Sequence, residues 1–155
     1  AAHSMFISST YWSDTVGLRA ALTTINEVER RGVPEQLAVL GQGLVQSVRD
    51  LAREVGVPMT AGGIEFHPNF SFQEDDPLLR QQLTTLFIQE MAKRGCHMGM
   101  SFYMNASHGP AELDQTLAAM RETLELIREA LDSGTVEDRL ECELKTDTFA
   151  RRMVQ

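Results

Sequence analysis

At 155 residues the chain falls within the size range of one domain, and a domain of this size buries roughly 68–70% of the surface its unfolded chain exposes, enough for a single sizeable core. A hydrophobic fraction of 43% and a charged fraction of 23% are ordinary globular usage, and a net charge of −8 without a basic stripe excludes nucleic acid as a partner. The apolar runs are broken by charge well before the roughly 20 residues a membrane helix needs, and no basic, then apolar leader opens the chain, so the expectation is a folded cytoplasmic protein with no membrane partner.

The opening run Phe6-Ile7-Ser8-Ser9-Thr10-Tyr11-Trp12 is polar in the middle and aromatic at both ends, which reads as an exposed or interface loop. Asp14 can cap a helix in which Leu18, Ala21, Leu22, Ile25 and Val28 recur at helical spacing, ending near Gly32. Val33-Pro34 is expected to break the chain before a second helix with Leu37, Leu40, Leu44, Val48, Leu51 and Val55 along one side, stopped by Gly56 and Pro58. From Met59 to Gln73 the pattern predicts a strand pair turning at Gly62-Gly63, with Phe66, Phe70 and Phe72 on one face and Pro68 confining part of it to an edge or bulge.

Asp76-Pro77 signals the start of a third helix, with Leu79, Leu83, Leu86, Phe87 and Met91 on its buried side before Gly95. Met98, Met100, Phe102 and Met104 alternate as in a half-buried strand. The strongest helix follows Ser107-His108-Gly109-Pro110; its apolar positions Leu113, Leu117, Met120, Leu124, Ile127 and Leu131 are spaced by four and three in turn, and it should end near Gly134. The charged tail from Thr135 is expected to wrap the surface with one short helical turn. The order predicts an α+β fold, a small sheet with helices on one face.

Chemistry is sparse. There is no Gly-x-Ser-x-Gly or His-Glu-x-x-His, Gly41-Gln42-Gly43 falls inside a predicted helix, and Cys96 and Cys142 form neither metal nor redox spacing. No metal site is expected. His67 and His108 stand near strand ends, where a general acid or base could be placed, but read more simply as structural histidines. Ser8-Ser9-Thr10, just ahead of a helix, could donate to a phosphate, although hydroxyl residues are also ordinary at helix starts.

Phe6-Ile7-Ser8-Ser9-Thr10-Tyr11-Trp12-Ser13-Asp14, followed by the helix through Gly17, Ala20 and Ala21, resembles the class III aminotransferases of fold type I, especially the branch around glutamate-1-semialdehyde aminomutase. The later segments are similar too: the helix pair to Gly56, the helix from Asp76-Pro77 to Arg94-Gly95-Cys96, the strand Met98 to Met104, and the final helix from Pro110. The resemblance implies pyridoxal phosphate as cofactor in the full-length parent, a homodimer, and small-molecule amino donors and acceptors. It implies that residues 1–32 end the large cofactor-binding domain and residues 33–155 form the small C-terminal domain. Thr10, and less specifically Ser9, would then bind the cofactor phosphate of the neighbouring subunit.

One departure is decisive. The cofactor needs a lysine amine, and the chain has only Lys93 and Lys145, neither in a segment like the family's. By the resemblance, the lysine and the large domain belong to a missing upstream part. The expectation is a C-terminal piece, inactive alone and prone to self-association through uncovered apolar surface. The alternative reading is a stand-alone, non-catalytic α+β interaction or regulatory module.

Overall fold

The computed structural model describes residues 14–146. Its elements are α1 (Thr15–Arg30), α2 (Val33–Val55), β1 (Met59–Ile64), β2 (His67–Phe72), α3 (Pro77–Lys93) and α4 (Pro110–Ser133), followed by a 3-10 turn at Glu137–Arg139. The chain divides into two compact units, Ala1–Gln36 and Leu37–Gln155.

In the first unit the Asp14 carboxylate accepts from the amides of Val16 and Gly17 at 3.3 and 3.2 Å, satisfying two of the donors that a helix start leaves open. The stripe predicted for α1 is present but buries nothing, and Leu18, Leu22 and Ile25 stay at least half exposed. Amphipathic spacing made the helix; burial needs a second layer, which this unit does not supply. Val33-Pro34 does not break the chain as expected. The break is the Arg31–Gly32 turn, and Pro34 lies in the first turn of α2, where its missing N–H would have had no helical partner anyway.

The second unit is a small sheet covered on one face. Its core joins Leu44 and Val48 of α2, Phe70 and Phe72 of β2, Leu83, Leu86 and Phe87 of α3, and Met120, Leu124 and Ile127 of α4. The capping signals are realised. Asp76 accepts from Leu78 N–H at 2.9 Å with Pro77 at the first helical position, and α4 starts where the Glu112 carboxylate accepts from Gly109 N–H at 2.9 Å. Gly134 caps its far end in the left-handed conformation.

β1 and β2 pair antiparallel, Met59 with Phe72 through Ile64 with His67. The chain therefore turns at Glu65-Phe66, not at Gly62-Gly63, which lie inside β1. Among the described residues none but glycine has positive φ, so this two-residue turn lacks the left-handed backbone that best matches strand twist. Gly63, at φ +94°, takes up the difference just before it, and a Cβ there would come within 2.8 Å of the His67 carbonyl. Phe66 is 41% exposed, and the inward face of β2 is Pro68, Phe70 and Phe72.

The third strand predicted over Met98–Met104 is extended and joined to β2, but only irregularly. Phe70 N–H donates to the Met100 carbonyl at 2.8 Å, Phe102 N–H to the Pro68 carbonyl at 2.9 Å, and Met104 N–H to the Phe66 carbonyl at 3.0 Å. Pro68 faces this segment with a carbonyl and no N–H, so one rung of the ladder cannot form. Proline thus sits between two neighbours, with the cost taken by the weaker edge.

Gly41, which carried no signal in the sequence, fixes where the hairpin meets α2. A Cβ on Gly41 would stand 1.9 Å from the Glu65 carbonyl oxygen, so only glycine lets the Glu65-Phe66 turn rest on the helix. Gly41→Ala is expected to destabilise the fold by about 1–3 kcal/mol in urea denaturation, the scale of forced overpacking, despite alanine's better helix propensity. Gly43→Ala, with nothing within 4 Å, is expected to be neutral or stabilising by up to roughly 1 kcal/mol.

Candidate functional site

Ser9 and Thr10 lie outside the described residues, so the candidate chemistry that can be placed is that of the lysines, the histidines and the acids around them. Lys93 ends α3 with its amine 2.8 Å from Glu90 and 2.7 Å from Glu141. The hydrogen bonds it donates to Glu141 first, and then to Glu90, hold its pKa above the usual lysine value. An amine kept charged between two carboxylates is no nucleophile. Lys145 lies beside α3, its N–H donating to Thr85 Oγ1 at 3.0 Å and its carbonyl accepting from Gln81 at 2.8 Å.

Glu90 is the centre of this cluster and is only 5% exposed. It accepts from Lys93 at 2.8 Å, Gln89 at 3.0 Å and Arg94 at 2.8 Å, while Arg94 reaches on to Glu122 of α4 at 3.0 Å. Burial is the largest single influence and pushes its carboxyl up, but the hydrogen bonds from Lys93, Gln89 and Arg94 together outweigh it, leaving the pKa at about 2. The cluster escaped the sequence reading although its signal was there: Glu90, Lys93 and Arg94 stand at the i, i+3 and i+4 spacing that puts opposite charges on one helix face.

The two histidines are tied to local structure. His67 stacks on Tyr103 with ring centroids 4.1 Å apart, and its Nε2 is buried without a hydrogen-bond partner among the described residues. His108 packs against Phe102 and turns both ring nitrogens to Asn105, one toward its backbone N–H at 3.3 Å and the other toward its side-chain amide at 3.1 Å. The ring is thereby used to build the corner before α4. A shallow cleft joins Cys96, His97, Met98, Phe102 and His108. Among the described residues no His, Cys, Asp or Glu cluster could hold a metal ion. Nor is any described helix long and apolar enough to cross a membrane.

No protein-family profile matches the sequence. The 3-aminobutyryl-CoA aminotransferase of Cloacimonas acidaminovorans (strain Evry) is 27% identical over 132 residues, which make up 84% of this chain and 32% of that protein. The FumI protein of Sphingopyxis sp. MTA144, solved in its PLP internal aldimine form, superposes with a TM-score of 0.70 at 21% identity, over 85% of this chain and 32% of FumI. An omega-transaminase from Sphaerobacter thermophilus gives 0.66 at 20% identity, over 78% of this chain and 30% of its own. The chain spans about a third of the length of the curated relative it matches, at the C-terminal end. The chain is similar to the C-terminal third of pyridoxal-phosphate-dependent aminotransferases.

Pyridoxal phosphate is the cofactor of the enzymes the chain resembles. Among the described residues the Lys93 amine is engaged by the Glu90 and Glu141 carboxylates, and Lys145 is tied to α3 through its backbone N–H and carbonyl.

The Glu90 cluster sets an acid limb for stability. Because its folded pKa lies below the usual 4.5, its contribution is complete above pH 4.5 and is lost as pH falls toward about 2. Glu90→Gln is expected to cost up to roughly 3 kcal/mol at neutral pH and to flatten the fall in stability below pH 4.5. Urea midpoints between pH 7 and pH 3 that fall in parallel for both proteins would contradict this.

Proposed function

We propose that this chain forms the C-terminal part of a class III aminotransferase of fold type I, a pyridoxal-phosphate enzyme that moves an amino group between a small-molecule donor and acceptor in the cytoplasm. The observation that carries this reading is the match of 84% of the chain to the C-terminal third of a curated aminotransferase. Transfer between two molecules is supported over aminomutase chemistry because the relatives whose reaction is named are an aminotransferase and a transaminase.

In this reading residues 1–32 close the large cofactor-binding domain and residues 33–155 are the small domain. Thr10, with Ser9 beside it, donates to the cofactor phosphate of the neighbouring subunit in a homodimer; a hydroxyl and nearby amides suit a dianionic group. The cofactor lysine and the large domain belong to an upstream portion. The exposed stripe of α1, with Leu18, Leu22 and Ile25, is apolar surface that this portion and the partner subunit would cover.

Three measurements test the reading. Mixed with pyridoxal phosphate and reduced with borohydride, the chain alone is expected to give no stoichiometric, site-specific adduct; a single modified lysine at full occupancy would contradict it. In the protein joined to its upstream portion, Thr10→Ala is expected to weaken cofactor binding by about 1–3 kcal/mol, the scale of a lost hydrogen bond to a charged group, and an unchanged Kd would remove Thr10 from the phosphate site. The chain alone is expected to self-associate on size-exclusion chromatography as its concentration rises, and a monomer throughout would count against the uncovered surface.

A further inference from the structure

β1 is the outer strand of the sheet, and α2 lies beside its free edge. Phe70 of β2 gives its N–H to the Met100 carbonyl, away from β1, so Ala61, opposite Phe70 in the register, turns its own carbonyl to the free edge. Arg49 of α2 meets that carbonyl, its Nε–H donating at 2.8 Å. The guanidinium is thereby oriented from behind. Its Nη2 lies over Gly62, 3.8 Å from where a Cβ on that residue would stand.

The outer edge of this guanidinium is uncompensated. Neither Nη1 nor Nη2 of Arg49 has a partner among the described residues. Arg53, Arg94, Arg121, Arg128 and Arg139 of the same unit each pair with a carboxylate, and Arg49 does not. Arg80 also lacks an ion pair, but it gives Nη1 to the Glu74 carbonyl in a hollow that Glu74 and Asp75 already make acidic. In a chain with 22 acidic residues against 14 basic ones, an arginine left without an acid is the exception.

Arg49 opens on a cleft of about 330 Å³ between α2 and β1, lined also by Gln42, Val45, Gln46, Gly62, Gly63 and Glu65. The two nearest acids are held off it by glutamines. Gln42 donates to Glu65 at 3.3 Å, and Gln46 donates to Asp50 at 2.9 Å, which also takes Arg53 at 2.7 Å. Glycine at 62 and 63 leaves the strand wall without side chains, so a small group can come close to the backbone. Nη1 and Nη2 offer two parallel N–H bonds, the spacing that matches the two oxygens of a carboxylate. A dianion fits less well, because Arg49 brings a single positive charge and Asp50 and Glu65 stand near it.

We propose that the cleft between α2 and β1 is a binding site for a small monocarboxylate, held by the Nη1–Nη2 edge of Arg49 and lying against Gly62 and Gly63. The Nε bond to Ala61 sets the fork before the ligand arrives, and the glutamines keep the chain's own acids from filling it. The site is built from residues 41–65 alone and is independent of the aminotransferase reading, so either can fail without the other.

The test uses the full chain labelled with 15N, titrated at neutral pH and constant ionic strength with N-acetylglycine and, separately, with its neutral amide. The Arg49 Nε–H and the amides of Gly62 and Gly63 are expected to shift saturably with the acid, at a Kd of about 10 mM or tighter, and to stay still with the amide. An exposed arginine by itself holds a carboxylate too weakly to saturate in that range. Arg49→Gln keeps a donor for the Ala61 carbonyl but loses the charge and the fork; it should weaken binding at least about tenfold with little change in the urea midpoint. Arg53→Gln should leave the Kd as it is. Shifts that rise in a straight line, or an equal response to the amide, would overturn the site. Unchanged binding by Arg49→Gln would remove Arg49 from it, and tighter binding of inorganic phosphate would overturn the ligand class.

Discussion

Glu90 is a carboxylate kept inside the fold as an anion, and three parts of the molecule follow from how its charge is met. A lone buried carboxylate would be too costly to keep charged, so the end of α3 brings Lys93 and Arg94 to it at the i+3 and i+4 positions. Each cation then has donors left over. Arg94 uses its own to reach Glu122 on α4, and Lys93 to reach Glu141 on the segment after α4. Gln89, bonded to Glu90, also accepts from the Glu141 N–H of that segment. One desolvated charge thus joins two helices and the closing segment.

The second constraint is a sheet with only one covered face. Pro68, Phe70 and Phe72 give β2 an apolar side that α3 and α4 complete, while its other side carries His67, Asn69 and Ser71. The hairpin meets α2 by backbone contact at Gly41, where side chains would hold the two apart. The Met98–Met104 segment lies along the far edge of β2 with its ladder interrupted at Pro68, and the Asn105–His108 corner turns it into α4.

The proposed assembly divides the work physically. A cofactor held by a lysine and a phosphate cradle needs rigid, converging polar groups, and a small α+β layer needs a dry apolar interior. The described residues commit many of their polar groups to caps, corners and the segment after α4, and in the proposed assembly an upstream portion would hold the cofactor.

The sequence by itself determined the helices, because the cap at Asp14, the Asp76-Pro77 start, the Gly134 stop and the apolar spacing of α3 and α4 are local physics acting within a few residues. It also showed that Lys93 and Lys145 are its lysines, neither in a segment like that of the aminotransferases it resembles. The turn was misplaced, because Gly62-Gly63 looks like a reversal, whereas the reversal at Glu65-Phe66 is imposed by pairing with β2 and by the space that Gly41 leaves on α2. Likewise α1 has a stripe that reads as buried, yet burial depends on a surface the stripe cannot encode. The Glu90 cluster and the segment after α4 were decided only by the tertiary structure: Glu122 and Glu141 stand far from Glu90 in the chain, and an ion pair exists only once packing has brought its members together.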